Sequence, residues 1–215
     1  MVQRGRFFNP SRASPFDINI RENYRNRREA FIGKKPAVAI ITGYCTDSSL
    51  IRAKGKTYKL ISVLFHGQEW ERYCCFITTI FDEPKMIAQV YKSALSFSTL
   101  PESISAPPNF PDTSLSPLSG RRAKTNNTPV ERARGALYFT DIVPVFDGQN
   151  VNINEDINFD DLGNVLPTFP GEIPTGSCVI VGHSVSSYKK ELDNVTNVHL
   201  ATSVLFVIVL GTPYL

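Results

Sequence analysis

The sequence predicts an all-β fold. Six runs are rich in β-branched and aromatic residues, and the long connections between them are rich in proline and serine. The last run, VHLATSVLFVIVLG, is apolar on both faces, which marks a central strand rather than an edge. Neither an internal repeat nor a heptad pattern is present. At 215 residues one domain is expected, long enough to bury a sizeable core. We divide it into a basic N-terminal arm, residues 1–35, and a β-rich body, residues 36–215.

Residues 1–16 read as an extended arm. INIRENYRNRREAF (18–31) fits a short helix with Asp17 as N-cap, placing Ile20, Tyr24 and Phe31 on one face. AVAIITGYC and TYKLISVLFH are strands separated by the turn-like AKGK, and RYCCFITTIF reads as a third. MIAQVYKSAL (86–95) favours a short helix. Residues 96–135 form a long loop carrying Pro101, Pro107, Pro108, Pro111, Pro117 and Pro129. GALYFTDIVPVF (135–146) is a strand, irregular near Pro144. Residues 147–172 make a second long, acidic loop, and SCVIVGHSVSSY and VHLATSVLFVIVLG end the chain as two long strands.

Several function classes find no support. The opening MVQRGRFFNPSR has no apolar run of the kind a secretory signal needs, and VLFVIVL (204–210) is too short to span a bilayer. Cys45, Cys74, Cys75 and Cys178 have no C-x-x-C spacing and read as reduced thiols. GHSVS (182–186) is not a nucleophile elbow, and adjacent His183 and Ser184 on a strand point to opposite faces. No catalytic set, no metal-ligand set and no cofactor motif is expected; NEDINFDD lacks calcium-loop spacing.

Charge points elsewhere. Residues 1–35 hold nine Lys/Arg against three Asp/Glu, a net +6, while the remaining 180 residues hold 14 against 17, a net −3. A basic arm on a near-neutral body suggests nucleic acid as partner. Arg4, Arg6, Arg12, Arg21, Arg25, Arg27, Arg28, Lys34 and Lys35 are the candidate phosphate contacts, with Phe7, Phe8, Phe16 and Tyr24 among them for stacking. Arg121, Arg122, Lys124, Arg132 and Arg134 form a secondary basic cluster in and after the long loop. The alternative is that these charges only solubilise the surface.

GKTYKLISVLFHGQEW (55–70), RYCCFITTIFDEPK (72–85), the following MIAQVYKSA and the ending CVIVGHSVSS…VHLATSVLFVIVLG resemble coat proteins of small circular single-stranded-DNA viruses, the geminivirus- and circovirus-like group. The resemblance covers 37–95 and 135–210 as pattern; the arm is shorter and less arginine-dense than in that group. It implies a single eight-stranded jelly-roll β-sandwich with one or two short helices. The function it implies is a capsid protein that self-assembles into a closed shell and holds single-stranded nucleic acid with its arm, in the virion and, during assembly, in the host nucleus or cytoplasm.

A competing reading is an oligonucleotide-binding barrel in the order β-β-β-α-β-β, with MIAQVYKSAL as the helix and Tyr58, Phe65, Tyr73 and Phe76 as a stacking platform. A third is a structural or adaptor β-sandwich that binds no nucleic acid.

Overall fold

The computed structural model describes residues 3–22, 27–52, 55–103, 135–151, 157–192 and 195–213. Two short strands, β1 (Gln3–Arg4) and β2 (Phe7–Phe8), open the chain. The hairpin of β3 (Asn19–Glu22) and β4 (Arg27–Ile32) and the short β5 (Lys35–Pro36) follow. The body holds β6 (Val38–Ser48), β7 (Leu60–Phe65), α1 (Gly67–Phe81), β8 (Val90–Tyr91), β9 (Ala94–Ser98), β10 (Val145–Asp147) and α2 (Leu162–Val165). The long hairpin of β11 (Cys178–Leu192) and β12 (Val195–Gly211) ends it.

The pairings close on themselves. β6 pairs with β7, β7 with β9, β9 with β12, β12 with β11, and β11 returns to β6. All seams are antiparallel except β9–β12, a parallel contact at Ser203 and Ser98. The all-β class holds. The pairings outline a five-strand ring, however, and not two facing four-stranded sheets, because β6 lies between β7 and β11.

A ring of five strands needs sharp corners, and glycine supplies one. Residues 39–44 of β6 pair with β11, while 43–48 pair with β7. Gly43 sits in both sets. A Cβ there would stand 2.3 Å from the Leu64 carbonyl oxygen and 2.7 Å from Val63 Cγ1, so only glycine lets the strands approach this closely.

Three segments differ from the sequence reading, each for a physical reason. RYCCFITTIF is the helix α1, not a strand. Its buried residues Tyr73, Phe76, Ile77 and Phe81 recur at helical spacing, and packing of that stripe outweighs the β-propensity of the individual residues. MIAQVYKSAL is not a helix: Ile87 bridges His199, and 90–95 form the β8–β9 hairpin. Its two turn residues, Lys92 and Ser93, both adopt left-handed backbone (φ 49° and 63°) without the glycine or asparagine that would announce such a turn. INIRENYRNRREAF is the β3–β4 hairpin over its described part. Ile18 and Ile20 fit a period of two as well as a helix, and pairing of β4 with β11 decides between them. Asp17 ends a 3₁₀ turn whose cap is Ser14, the side chain accepting from Phe16 N–H. GALYFTDIVPVF contributes only β10; Tyr138 and Asp141 form a turn before it.

The core follows. β12 is central as its apolar run predicts, with Val204, Phe206, Val207, Ile208 and Val209 fully buried between β11 on one side and β10 and β9 on the other. α1 lies against the ring, and Tyr73 meets Phe65 there at 5.2 Å between centroids. The basic arm is not detached where it is described. Phe7 and Phe8 are buried, pair beside Val38 and Ala39, and pack on Phe159 and Phe76.

Candidate nucleic-acid interface

The predicted basic residues are dispersed rather than gathered. Arg4 donates to the Ile157 carbonyl, Arg6 pairs with Asp160 at 3.0 Å, and Arg12 with Glu69 at 3.4 Å. Arg21 donates to the Gly33 carbonyl at 2.7 Å and lies over the Phe31 ring. Arg28 pairs with Glu83 at 3.0 Å and donates to the Phe81 carbonyl at the C-terminus of α1, where the helix dipole favours a cation. Lys34 and Lys35 are exposed. Arg25 and the secondary cluster of Arg121, Arg122, Lys124, Arg132 and Arg134 lie outside the described residues, as does Tyr24. Of the aromatic residues proposed for the arm, Phe7 and Phe8 belong to the core and Phe16 is exposed. Of the barrel platform, Phe65, Tyr73 and Phe76 are core, and Tyr58 is half-buried, accepting from Gln89 Nε2.

One predicted arginine enters a different arrangement. Strand alternation puts consecutive Arg27 and Arg28 on opposite faces of β4. Arg28 turns to the end of α1; Arg27 turns to β11, where its register partner is Tyr188. Its guanidinium carbon lies 5.2 Å from the Tyr188 ring centroid. Tyr188 in turn faces His199 across the β11–β12 hairpin, with centroids 5.3 Å apart and planes 21° from parallel. Three planar groups thus form a row across β4, β11 and β12.

The row borders a groove of about 260 Å³ at the β9–β12 seam. Ser96 and Ser98 of β9 and Ala201 and Ser203 of β12 form its floor, Ile87, Ala88 and Gln89 one side, and Leu100 and Pro101 an end. The groove exists because β9 and β12 pair at one register position and then diverge. Deeper hydroxyls satisfy one another: Thr202 Oγ1 donates to the Ser96 carbonyl at 2.7 Å, and the Ser62 and Ser96 hydroxyls meet at 3.0 Å. No aspartate or glutamate lines it among the described residues, so an anion entering meets arginine without a carboxylate beside it.

Sequence reasoning singled out Arg27 but missed Tyr188 and His199. The signal was present, since hairpin register alone pairs them: Leu192 with Val195 fixes Tyr188 with His199 four steps on.

A second polar feature anchors the β6–β7 connection. The Glu172 carboxylate accepts from the Ser48 hydroxyl and from the N–H groups of Leu50, Ile51 and Arg52. Partial burial works to raise its pKa, but these four donors prevail and hold it below the usual carboxylate range. His183, by contrast, is fully buried among Phe97 and Tyr73, and burial pulls its pKa down to about 3.

Among the described residues no three His, Cys, Asp or Glu side chains converge as a metal site requires, and the four cysteines are free thiols, Cys45 buried and Cys75 exposed. Nor is any described helix long and apolar enough to cross a membrane. No family model, curated protein or solved structure matches the chain.

Proposed function

We propose that the chain is a single-stranded nucleic-acid-binding barrel. The observation that carries this reading is the strand order of the ring. Numbered within the ring, β6, β7, β9, β11 and β12 are strands one to five, and they pair 1-2-3-5-4-1 with a parallel 3–5 seam. That is the closed Greek-key order of the oligonucleotide-binding barrel, a fold that binds oligonucleotides and oligosaccharides at its strand faces and adjoining loops. The helix departs from that pattern: α1 falls between strands two and three, not between three and four.

Fold alone does not give function, so the groove is the second support. It combines stacked rings, a fixed cation and a floor without acidic residues, the ingredients of sequence-tolerant single-strand binding. The shell reading has less support. It depends on a jelly roll and on an arm available to a genome, whereas the described arm arginines are engaged with the body.

Fluorescence anisotropy tests the proposal directly. A labelled mixed-sequence 12-mer should bind as a single strand, more weakly as a duplex, and with an affinity that falls as salt rises. Absence of any single-strand binding at low salt overturns it. Light scattering on the same samples should give a small species; uniform large particles would restore the shell reading.

A further inference from the structure

We infer that the seam groove binds one nucleotide unit, its base against the Tyr188–His199 ring pair and its phosphate toward Arg27. This rests on the nucleic-acid reading above and adds to it a particular place, a ligand size and a role for an arm residue. The place is not the face of the second and third strands. It is the seam between the third and fifth, completed by β4, which lies outside the ring.

Size comes from the volume. A groove of about 260 Å³ falls just below the roughly 300–1,000 Å³ of pockets for drug-sized ligands, room for one nucleotide and not for a run of stacked bases. Chemistry comes from the row. Two rings 21° from parallel offer a flat apolar surface to a flat ligand, and every base has such a face. Arg27 over Tyr188 sets positive charge at the rim, which a neutral planar ligand would not use. Gln89 at the groove's side carries both a donor and an acceptor for a base edge.

Position is secured from behind. Arg28 clamps β4 to the last turn of α1, so its neighbour Arg27 is held in register with Tyr188. Arg28 is therefore a positioning residue, and the two adjacent arginines of the arm divide the tasks of holding the strand and facing the ligand.

The test uses the full chain and the labelled 12-mer, with adenosine and uridine monophosphate and inorganic phosphate as competitors. Both monophosphates should compete, and inorganic phosphate should not. Tyr188→Leu and His199→Leu should each weaken binding by about 5- to 150-fold, the range of one lost base stack. Arg27→Gln should lower the salt dependence by about one ion. Tyr44→Leu, an exposed ring in the β6–β7 part of the barrel, should change nothing. Should a groove variant fail to fold, the unmodified protein decides. It has three histidines, and titration with a monophosphate should move the His199 ring signals and leave those of buried His183 in place. Strand binding that ignores the groove substitutions, or monophosphates that neither compete nor move His199, overturns this site while the nucleic-acid reading stands. Loss of all strand binding overturns both.

Discussion

The molecule contains two tyrosine–histidine pairs, and their difference is instructive. Tyr73 and His183 meet between α1 and the barrel, both essentially without solvent exposure, and share a hydrogen bond of 3.2 Å from Tyr73 Oη to His183 Nε2. Tyr188 and His199 meet across a hairpin at the surface, half-buried, face to face and bordering a groove. Burial makes the first pair a neutral structural joint, because a charged imidazole there has no water to solvate it. Exposure leaves the second pair with ring surface to offer. The same two residue types thus serve stability at one site and recognition at the other.

Substitutions should separate the two sites by size of effect. The largest is expected at Phe97, whose ring lies 4.6 Å from that of His183 and is fully buried. Phe97→Ala should cost about 3–5 kcal/mol in urea unfolding, whereas Tyr188→Leu should cost under about 1 kcal/mol. Similar losses at both would erase the distinction.

A pH titration comes next. The native pKa of His183 lies far below that of a free histidine, so the unfolded chain takes up a proton that the folded chain refuses. Stability from this group is full above pH ~6.5. It falls as pH drops, by up to about 1.4 kcal/mol per unit, toward the native value of about 3. Between pH 7 and 5 the loss should reach about 2 kcal/mol. His183→Asn should flatten that slope, and His199→Asn should not.

Tyr73→Phe is expected to cost about 1–3 kcal/mol, because it leaves a buried imidazole nitrogen without its partner. Denaturant midpoints at pH 7 would measure it. The smallest effect belongs to Glu172→Gln, at the solvent-facing end of the barrel's first connection. It weakens four charge-assisted hydrogen bonds and should cost about 1 kcal/mol or less, with hydrogen exchange rising at Leu50, Ile51 and Arg52.

How much of this was legible in the sequence depends on the scale of the interaction that decides it. The two terminal strands declare themselves locally through long β-branched runs, and they sit where those runs place them. The stretch 72–81 does not, because residues of β propensity are overruled by a helical stripe whose partners, such as Phe8, come from far along the chain. The hairpin at 90–95 was hidden because its turn uses Lys92 and Ser93 in a backbone conformation that favours other residues. Arg27 was visible as charge, but its company was not: pairing with Tyr188 depends on β4 joining β11 across 160 positions of sequence. The arm's other described arginines were read as phosphate contacts on composition, and composition does not report the carboxylates and carbonyls they meet.

The parallel contact of Ser98 with Ser203 joins segments roughly a hundred residues apart and is the thinnest seam of the ring. Closing so long a loop early is entropically costly, with little contact to offset it. Strand pairs 6–7, 7–9 and 11–12 are local by comparison and should form first, leaving this seam as the late step of folding. In the native protein the order reverses: the seam should be the first part of the barrel to breathe, exchanging its amides faster than those at Val207 and Ile208 on the same strand. The groove beside it would then be the place where the barrel can widen to admit a ligand without unfolding.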